Sequence, residues 1–428
     1  MKKIYCDISA TTPTNDEVIN LMASIQRTTF GNPSSVHKYG QESHVLIEKA
    51  RIQVSKSLNC HQEEIIFTGS GTEANNIALE GIVESEDHII STTYEHPSVM
   101  NVIKNLEKKG ASLTLIKPNK DGKITPDLIE KEISKNTRLI SVMFVNNELG
   151  SINDIKKISE IAQKYKIIFH VDAVQCVGKI PINLNDIKID LMSLSAHKFY
   201  GPKGIGALFI RKGINLKTIL NGGGQELNLR PGTENISGIA GLGLALSMAC
   251  NKIEDTIIYI KNLEKIFINQ LNDYKINYIL HINDRLPGVL AIGFPGIDGQ
   301  SLLIALDFNV NKTIDTLNEV NYFVEIKTFI DPELLTETKV EKKETKTSPE
   351  KVVKDKQNTQ KKLLEERIIN YKIVKAAVTG VLEIEVKKMM TIGWIPYGGI
   401  GIDRAGIGGV ALGQMTYFQA MVKLEEVN

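Results

Sequence analysis

Ser193-Leu194-Ser195-Ala196-His197-Lys198, followed by the loop Gly201-Pro202-Lys203-Gly204-Ile205-Gly206, decides how the rest of the chain is read. The segment closes a run of strand character, 190–195, and sets a lysine at its carboxyl end. In an open α/β sheet, ligands collect beyond the carboxyl ends of the strands, so Lys198 is placed to capture a carbonyl-bearing cofactor as a Schiff base. A surface lysine beside a turn has the same local signature, and the neighbouring strands must decide between the two.

Working outward, short β-branched runs at 64–68, 88–92, 112–117, 138–145, 167–174 and 204–210 alternate with segments of helical period. Most of these runs are continuously apolar, as strands buried on both faces are. Segment 41–58, with Val45, Ala50, Val54 and Leu58 at helical spacing, is one of the covering helices. The pattern predicts an α/β fold: a doubly wound, mostly parallel sheet with helices on both faces. Residues 16–255 form the large domain, with 1–15 as an N-terminal segment packing on a small domain. That small domain begins at 256–309 with a helix over 259–271 and a strand over 289–294.

Composition changes after Thr336. Residues 337–362 carry nine lysines and five acidic residues and no aromatic residue, too little apolar surface to offset chain entropy. Residues 337–367 are therefore expected to be a flexible charged linker, after a connecting segment at 310–336. Residues 368–428 are expected to form a small βαββ module with Trp394 as its core anchor.

The whole chain, 428 residues at a formal net charge of +1, has 42% hydrophobic and 24% charged residues. These values exclude disorder as a default, and the scattered basic residues give nucleic acid no footprint. Cys6, Cys60, Cys176 and Cys250 form no C-x-x-C pair, so no metal is expected and a reducing cytoplasm fits. No signal-length or membrane-length apolar run is present in the sequence, so neither export nor membrane insertion is expected.

Around Lys198 the sequence supplies what such a cofactor needs. His170-Val171-Asp172-Ala173-Val174-Gln175 ends another buried strand with a carboxylate, costly unless it meets a cation or donor. The protonated pyridine nitrogen of pyridoxal 5'-phosphate (PLP) would satisfy Asp172, and Gln175 could donate to the ring's phenolate oxygen. Gly69-Ser70-Gly71-Thr72-Glu73 opens a helix directly after a strand, where free amides and the helix dipole favour a phosphate. Here Gly71 allows close backbone approach and Thr72 adds a hydroxyl. His96, in Tyr94-Glu95-His96-Pro97, offers an imidazole to stack on the ring, and Asn147, in Asn146-Asn147-Glu148, an amide. An Asp capping a turn and a loop histidine are the plain alternatives. His170, inside a strand, reads as a satisfied core histidine.

Taken in order, these motifs together with Gly31-Asn-Pro-Ser-Ser35-Val-His37, Gly222-Gly-Gly-Gln-Glu226 and Arg230-Pro-Gly-Thr233-Glu-Asn235 closely resemble the cysteine desulfurases of the class V aminotransferase superfamily. The resemblance spans residues 1–309. It implies the PLP-dependent transferase fold (fold type I), with Lys198 carrying the cofactor, His96 stacking on the ring and Asp172 pairing with its nitrogen. Asn147 and Gln175 would contact ring substituents, and Thr72, Ser195 and His197 the phosphate. Thr233 would reach the phosphate of the neighbouring subunit of a homodimer.

The implied reaction takes L-cysteine to L-alanine, with sulfur passed to an acceptor protein for iron-sulfur clusters or thio-modification. One family feature is missing. A mobile loop bearing a reactive cysteine should follow Leu302-Leu-Ile-Ala-Leu-Asp307, but the chain reads Phe308-Asn-Val-Asn-Lys-Thr-Ile314 and has no cysteine after Cys250. The small domain is thus incomplete relative to the family, and no nucleophile is assigned; Cys176 reads as a small core residue. A PLP-dependent lyase or aminotransferase, and a non-catalytic PLP-binding scaffold, stay open as alternatives.

Overall fold

The structure is a computed structural model that describes Tyr5, residues 7–310 and Glu325–Lys327. The expected connecting segment, apart from Glu325–Lys327, and all of the linker and terminal module lie outside the described residues. The chain divides into two compact units: residues 7–260 with 282–289, and a smaller one whose described residues are Tyr5, 261–281, 290–310 and 325–327.

The larger unit is built on a seven-stranded sheet. Its strands are β1 (Ile65–Thr68), β2 (His88–Thr92), β3 (Ser112–Ile116), β4 (Thr137–Met143), β5 (Ile168–Asp172), β6 (Leu191–Ser195) and β7 (Gly206–Ile210), in the order β1-β7-β6-β5-β4-β2-β3. β7 runs antiparallel to both its neighbours, and the other pairings are parallel. All strands but β7 therefore end at the same edge.

Strand residues alternate between two cores, as the period of two requires. Ile65, Phe67, Ile90, Ile140, Met192 and Phe209 enter one cluster; Ile66, Ile89, Leu139, Leu191, Leu208 and Ile210 enter the other. The first core is covered by α1 (Asp16–Thr28), α2 (Lys38–Leu58), α5 (Pro126–Lys131), α6 (Ile155–Tyr165) and α7 (Ile236–Cys250), the second by α3 (Gly71–Glu80) and α4 (Pro97–Lys108). Two buried faces explain the continuous apolar runs of the sequence.

Local differences from the expected elements have physical causes. The buried stripe of α2 is Ile47, Ala50, Val54 and Leu58, while Val45 is 63% exposed, because the spacing of these four residues turns Val45 away from the core. Glu64 ends a short 3-10 turn ahead of β1, its carboxylate accepting from the His61 and Lys212 amides. Residues 7–15, expected to pack on the small domain, belong to the larger unit: Thr12 N and Oγ1 donate to the His197 carbonyl at 2.8 and 2.9 Å, and Asn15 N donates to that of Tyr200.

In the smaller unit, β8 (Ile279–Leu280), β9 (Val289–Gly293) and β10 (Glu325–Lys327) form a three-stranded sheet. Leu271, Ile276, Leu290, Ile292, Phe294 and Leu302 make its core. Leu271 comes from the end of α8 (Ile253–Asp273), Ile276 from the turn after it, Leu290 and Ile292 from β9, Phe294 from just beyond it, and Leu302 from α9 (Gly299–Val310). Among the described residues no single helix is both long and apolar enough to cross a membrane; α7 and α8 combine the two properties only as a pair bent by 67°. α7 owes its apolar character to burial in the core.

Candidate active site

The carboxyl edge of the sheet gathers residues that lie far apart in sequence. β5 delivers Asp172, and the turn after it Gln175; β6 delivers Ser195, then His197 and Lys198 in a 3-10 turn. Lys198 Nζ and Gln175 Nε2 both donate to the Ser9 carbonyl, at 2.5 and 3.1 Å, and Gln175 Oε1 accepts from Lys179 Nζ at 3.1 Å. A primary amine and a buried amide thus converge on one acceptor in the N-terminal segment, whose Thr11 Oγ1 also bonds His197 Nδ1 at 3.1 Å. Burial, reinforced by the charges of Lys198, Lys203 and Lys179, pushes the His197 imidazole down to about 4, so it is neutral at neutral pH.

Asp172 is buried without a hydrogen-bonded cation among the described residues. Its Oδ1 accepts from Val174 N at 3.0 Å and its Oδ2 from Asn75 Nδ2 at 2.9 Å. Burial raises its carboxyl above the usual range, opposed by those two donors and by the charges of His96 and Lys198. This arrangement suits a carboxylate that is to face a cationic ring nitrogen.

The phosphate-binding expectation falls on the start of α3. Ser70 caps the helix by accepting from Glu73 N at 3.1 Å, and Glu73 is itself held by Arg230 Nε at 2.9 Å. A Cβ on Gly71 would lie 2.8 Å from Val174 Cγ2 and 3.2 Å from Ser195 Cβ, so only glycine lets the first helical turn sit this close to the ends of β5 and β6. Gly71 and Ser195 are therefore in one place, with Thr72 exposed beside them. A groove of about 480 Å³ borders Thr72, Asn76, His96 and Ser98. A dipole-bearing helix start, small residues, hydroxyls and the neutral imidazole of His197 form a donor set that fits a phosphate.

His96 caps α4, its Nδ1 accepting from Ser98 N at 3.1 Å. Asn147 follows β4 and is half-buried, while Asn146 shapes that turn by accepting from the Glu148 and Leu149 amides. Thr233 stands exposed in the turn before α7, and among the described residues no hydrogen bond ties it to the others. Sequence reasoning missed Ser9, Asn75 and Ser98. It also missed Glu95, a fully buried carboxyl whose Oε1 accepts from Thr92 Oγ1 at 2.7 Å and Met143 N at 3.0 Å. Burial, with the nearby charge of Asp172, pushes Glu95 up to about 8.

The described cysteines are poor nucleophiles. Cys176 is fully buried, donates to the Ala173 carbonyl at 3.3 Å and has its thiol pushed far up by burial and by Asp172. Burial likewise pushes Cys60 up to about 12 and raises Cys250. His170, between Ser141 Oγ at 2.9 Å and Ser193 Oγ at 3.2 Å and pushed down to about 3 by burial, is a core residue.

Known proteins match over the same region. The family model described as Aminotransferase class-V covers residues 4–313. The cysteine desulfurase IscS of Dictyoglomus turgidum is 41% identical over 312 residues, 72% of this chain and 79% of that one. Among solved structures, a NifS-like protein superposes with a TM-score of 0.69 at 34% identity, covering 72% of this chain and 86% of its own. A structure described as SspA in complex with cysteine gives a TM-score of 0.63 at 35% identity, covering 68% and 84%.

Proposed function

The chain belongs to the aminotransferase class-V family as an enzyme of the PLP-dependent cysteine desulfurase type, and on that premise we propose that it acts on L-cysteine at the carboxyl edge of the sheet, with Lys198 holding the cofactor. PLP, when bound there, supplies an electron sink for charge developing at the substrate's α-carbon. Asp172 keeps a negative charge for the ring nitrogen. Gln175 and Asn147 serve the ring substituents, and His96 covers the ring. Gly71, Thr72, Ser195 and His197 hold the phosphate, joined by Thr233 of the neighbouring protomer in a homodimer.

The observation that carries the proposal is the meeting of Lys198 Nζ and Gln175 Nε2 on the Ser9 carbonyl, with the buried, cation-deficient Asp172 ending β5. The test is the visible absorbance of the purified chain with PLP, against Lys198→Ala, before and after L-cysteine. A band that requires Lys198 and shifts with cysteine is the expected result. Absence of any Lys198-dependent band overturns the proposal and leaves the scaffold reading.

The sulfur-accepting step is proposed to be impaired in this chain alone. The stretch 308–314 lacks the loop cysteine, and Cys60, Cys176 and Cys250 are held as thiols. An external thiol or an acceptor protein, in a reducing cytoplasm, then takes the sulfur. Persulfide formed on the purified chain by L-cysteine alone would contradict this. The same lack of a thiolate favours, as a second reading, a PLP-dependent lyase or aminotransferase, which would release keto acid or ammonia without sulfide.

A further inference from the structure

We propose that Asn75 is a positioning residue for the site: its single buried amide group holds the carboxylate of Asp172 and, through the Ser98 hydroxyl, reinforces the tautomer of His96 that the Ser98 backbone amide selects. The proposal rests on the assignment of Asp172 and His96 as cofactor contacts. Asn75 is fully buried on α3, four residues and one helical turn after Gly71, so the helix that offers its start to a phosphate also aims this side chain. Asn75 Nδ2 donates at 2.9 Å to Asp172 Oδ2 and at 2.9 Å to Ser98 Oγ. An amide NH₂ has two hydrogens, and both are used.

The direction of every other bond follows. The Ser98 backbone amide, which can only donate, gives its hydrogen to His96 Nδ1 at 3.1 Å and makes that nitrogen an acceptor; Ser98 Oγ, which accepts from Asn75, then donates its own hydrogen to the same nitrogen, 2.7 Å away. A ring nitrogen that receives two hydrogens cannot carry one, so when the His96 ring holds a single proton that proton sits on Nε2. Turning the Asn75 amide over would set its oxygen against the Asp172 carboxylate, and this fixes the orientation even though Oδ1 has no hydrogen-bond partner there. One uncharged group thereby supports a negative charge on one side and reinforces a proton position on the other.

The test compares Asn75→Leu, which removes both donations, with Ser98→Ala at a half-buried position, which removes the hydroxyl between Asn75 and His96 and leaves both the donation to Asp172 and the backbone donation to His96 Nδ1 in place. Histidine-¹⁵N NMR of the cofactor-free full chain reads the tautomer of His96, and equilibrium dialysis reads PLP affinity. Expected are the Nε2–H form in the parent protein and, in both variants, a measurable rise of the Nδ1–H form, held below half by the backbone donation to Nδ1 that both retain. PLP binding should weaken on the order of tenfold in Asn75→Leu, which leaves a charged acceptor without its donor, and by less than about twofold in Ser98→Ala.

An unmoved His96 tautomer in both variants, or unchanged PLP affinity in Asn75→Leu, overturns the inference. If the parent protein shows no Lys198-dependent band, the functional proposal fails, and the tautomer measurement still decides the network. If the band forms and the tautomer does not move, this inference alone falls.

Discussion

Two buried carboxylates sit in different regions of the larger unit and are treated in opposite ways. Glu226 receives Arg51 Nη2 at 2.8 Å, Arg51 Nη1 at 3.0 Å and the Phe67 amide at 2.7 Å, and Arg51 lies over the Phe67 ring. Asp172 receives only uncharged donors, from Asn75 and Val174. Cavity size does not distinguish the regions, since about 490 Å³ lies beside Arg51 and Glu226 and about 480 Å³ beside Thr72 and His96. Charge balance does. A carboxylate neutralised within the chain is a strut, whereas one left to neutral donors is prepared for a cation from a ligand.

That contrast breaks most visibly under substitution. Asp172→Asn should lower PLP-dependent turnover on the order of 100-fold, by removing an electrostatic contact to the ring. The urea stability of the cofactor-free protein should stay the same or rise, because an unneutralised buried charge is removed. Glu226→Ala should do the reverse, costing about 3–5 kcal/mol in urea unfolding because it strands Arg51. Equal stability losses in the two variants would show that Asp172 is also a strut.

Glu95 sharpens the comparison as a third buried carboxyl, with no cation bonded to it among the described residues. Its folded value of about 8 lies above its ordinary 4.5, so the stabilisation from the neutral acid is complete below pH 4.5 and is lost as pH rises through 8. Glu95→Gln, which stays neutral, should therefore gain stability relative to the parent as pH climbs between those values. The gain should be at most about 1.4 kcal/mol per pH unit, read by urea unfolding at several pH values. A pH-independent difference would mean that Glu95 is ionised throughout. The smallest effect is expected at Cys176→Ala, where the cysteine-induced spectral change should persist; its loss would restore Cys176 as a nucleophile.

Much of the fold was legible because burial on both faces writes long apolar runs, and β2, at His88–Thr92, matches its predicted run end to end. Apolar composition does not mark where a ladder stops. Phe144 and Val145 continue the apolar run beyond Met143, yet β4 ends there. The reversal of β7 had a signal in the ten residues from 196 to 205, a connection too short for a comfortable parallel crossover.

The site was legible where a residue type carries its own chemistry: a lysine at a strand end, a carboxylate closing an apolar strand, a glycine opening a helix. By itself the sequence determined the α/β class and the cofactor, and it proposed Lys198, Asp172, Gly71 and His96 as contacts, because periodicity and strand-end chemistry are local properties. Only the tertiary structure decided that Ser9 receives both Lys198 and Gln175, and that Asn75, 97 residues before Asp172, donates to it. Those pairings depend on which strand ends and helix turns are neighbours, and no local pattern of residues encodes that.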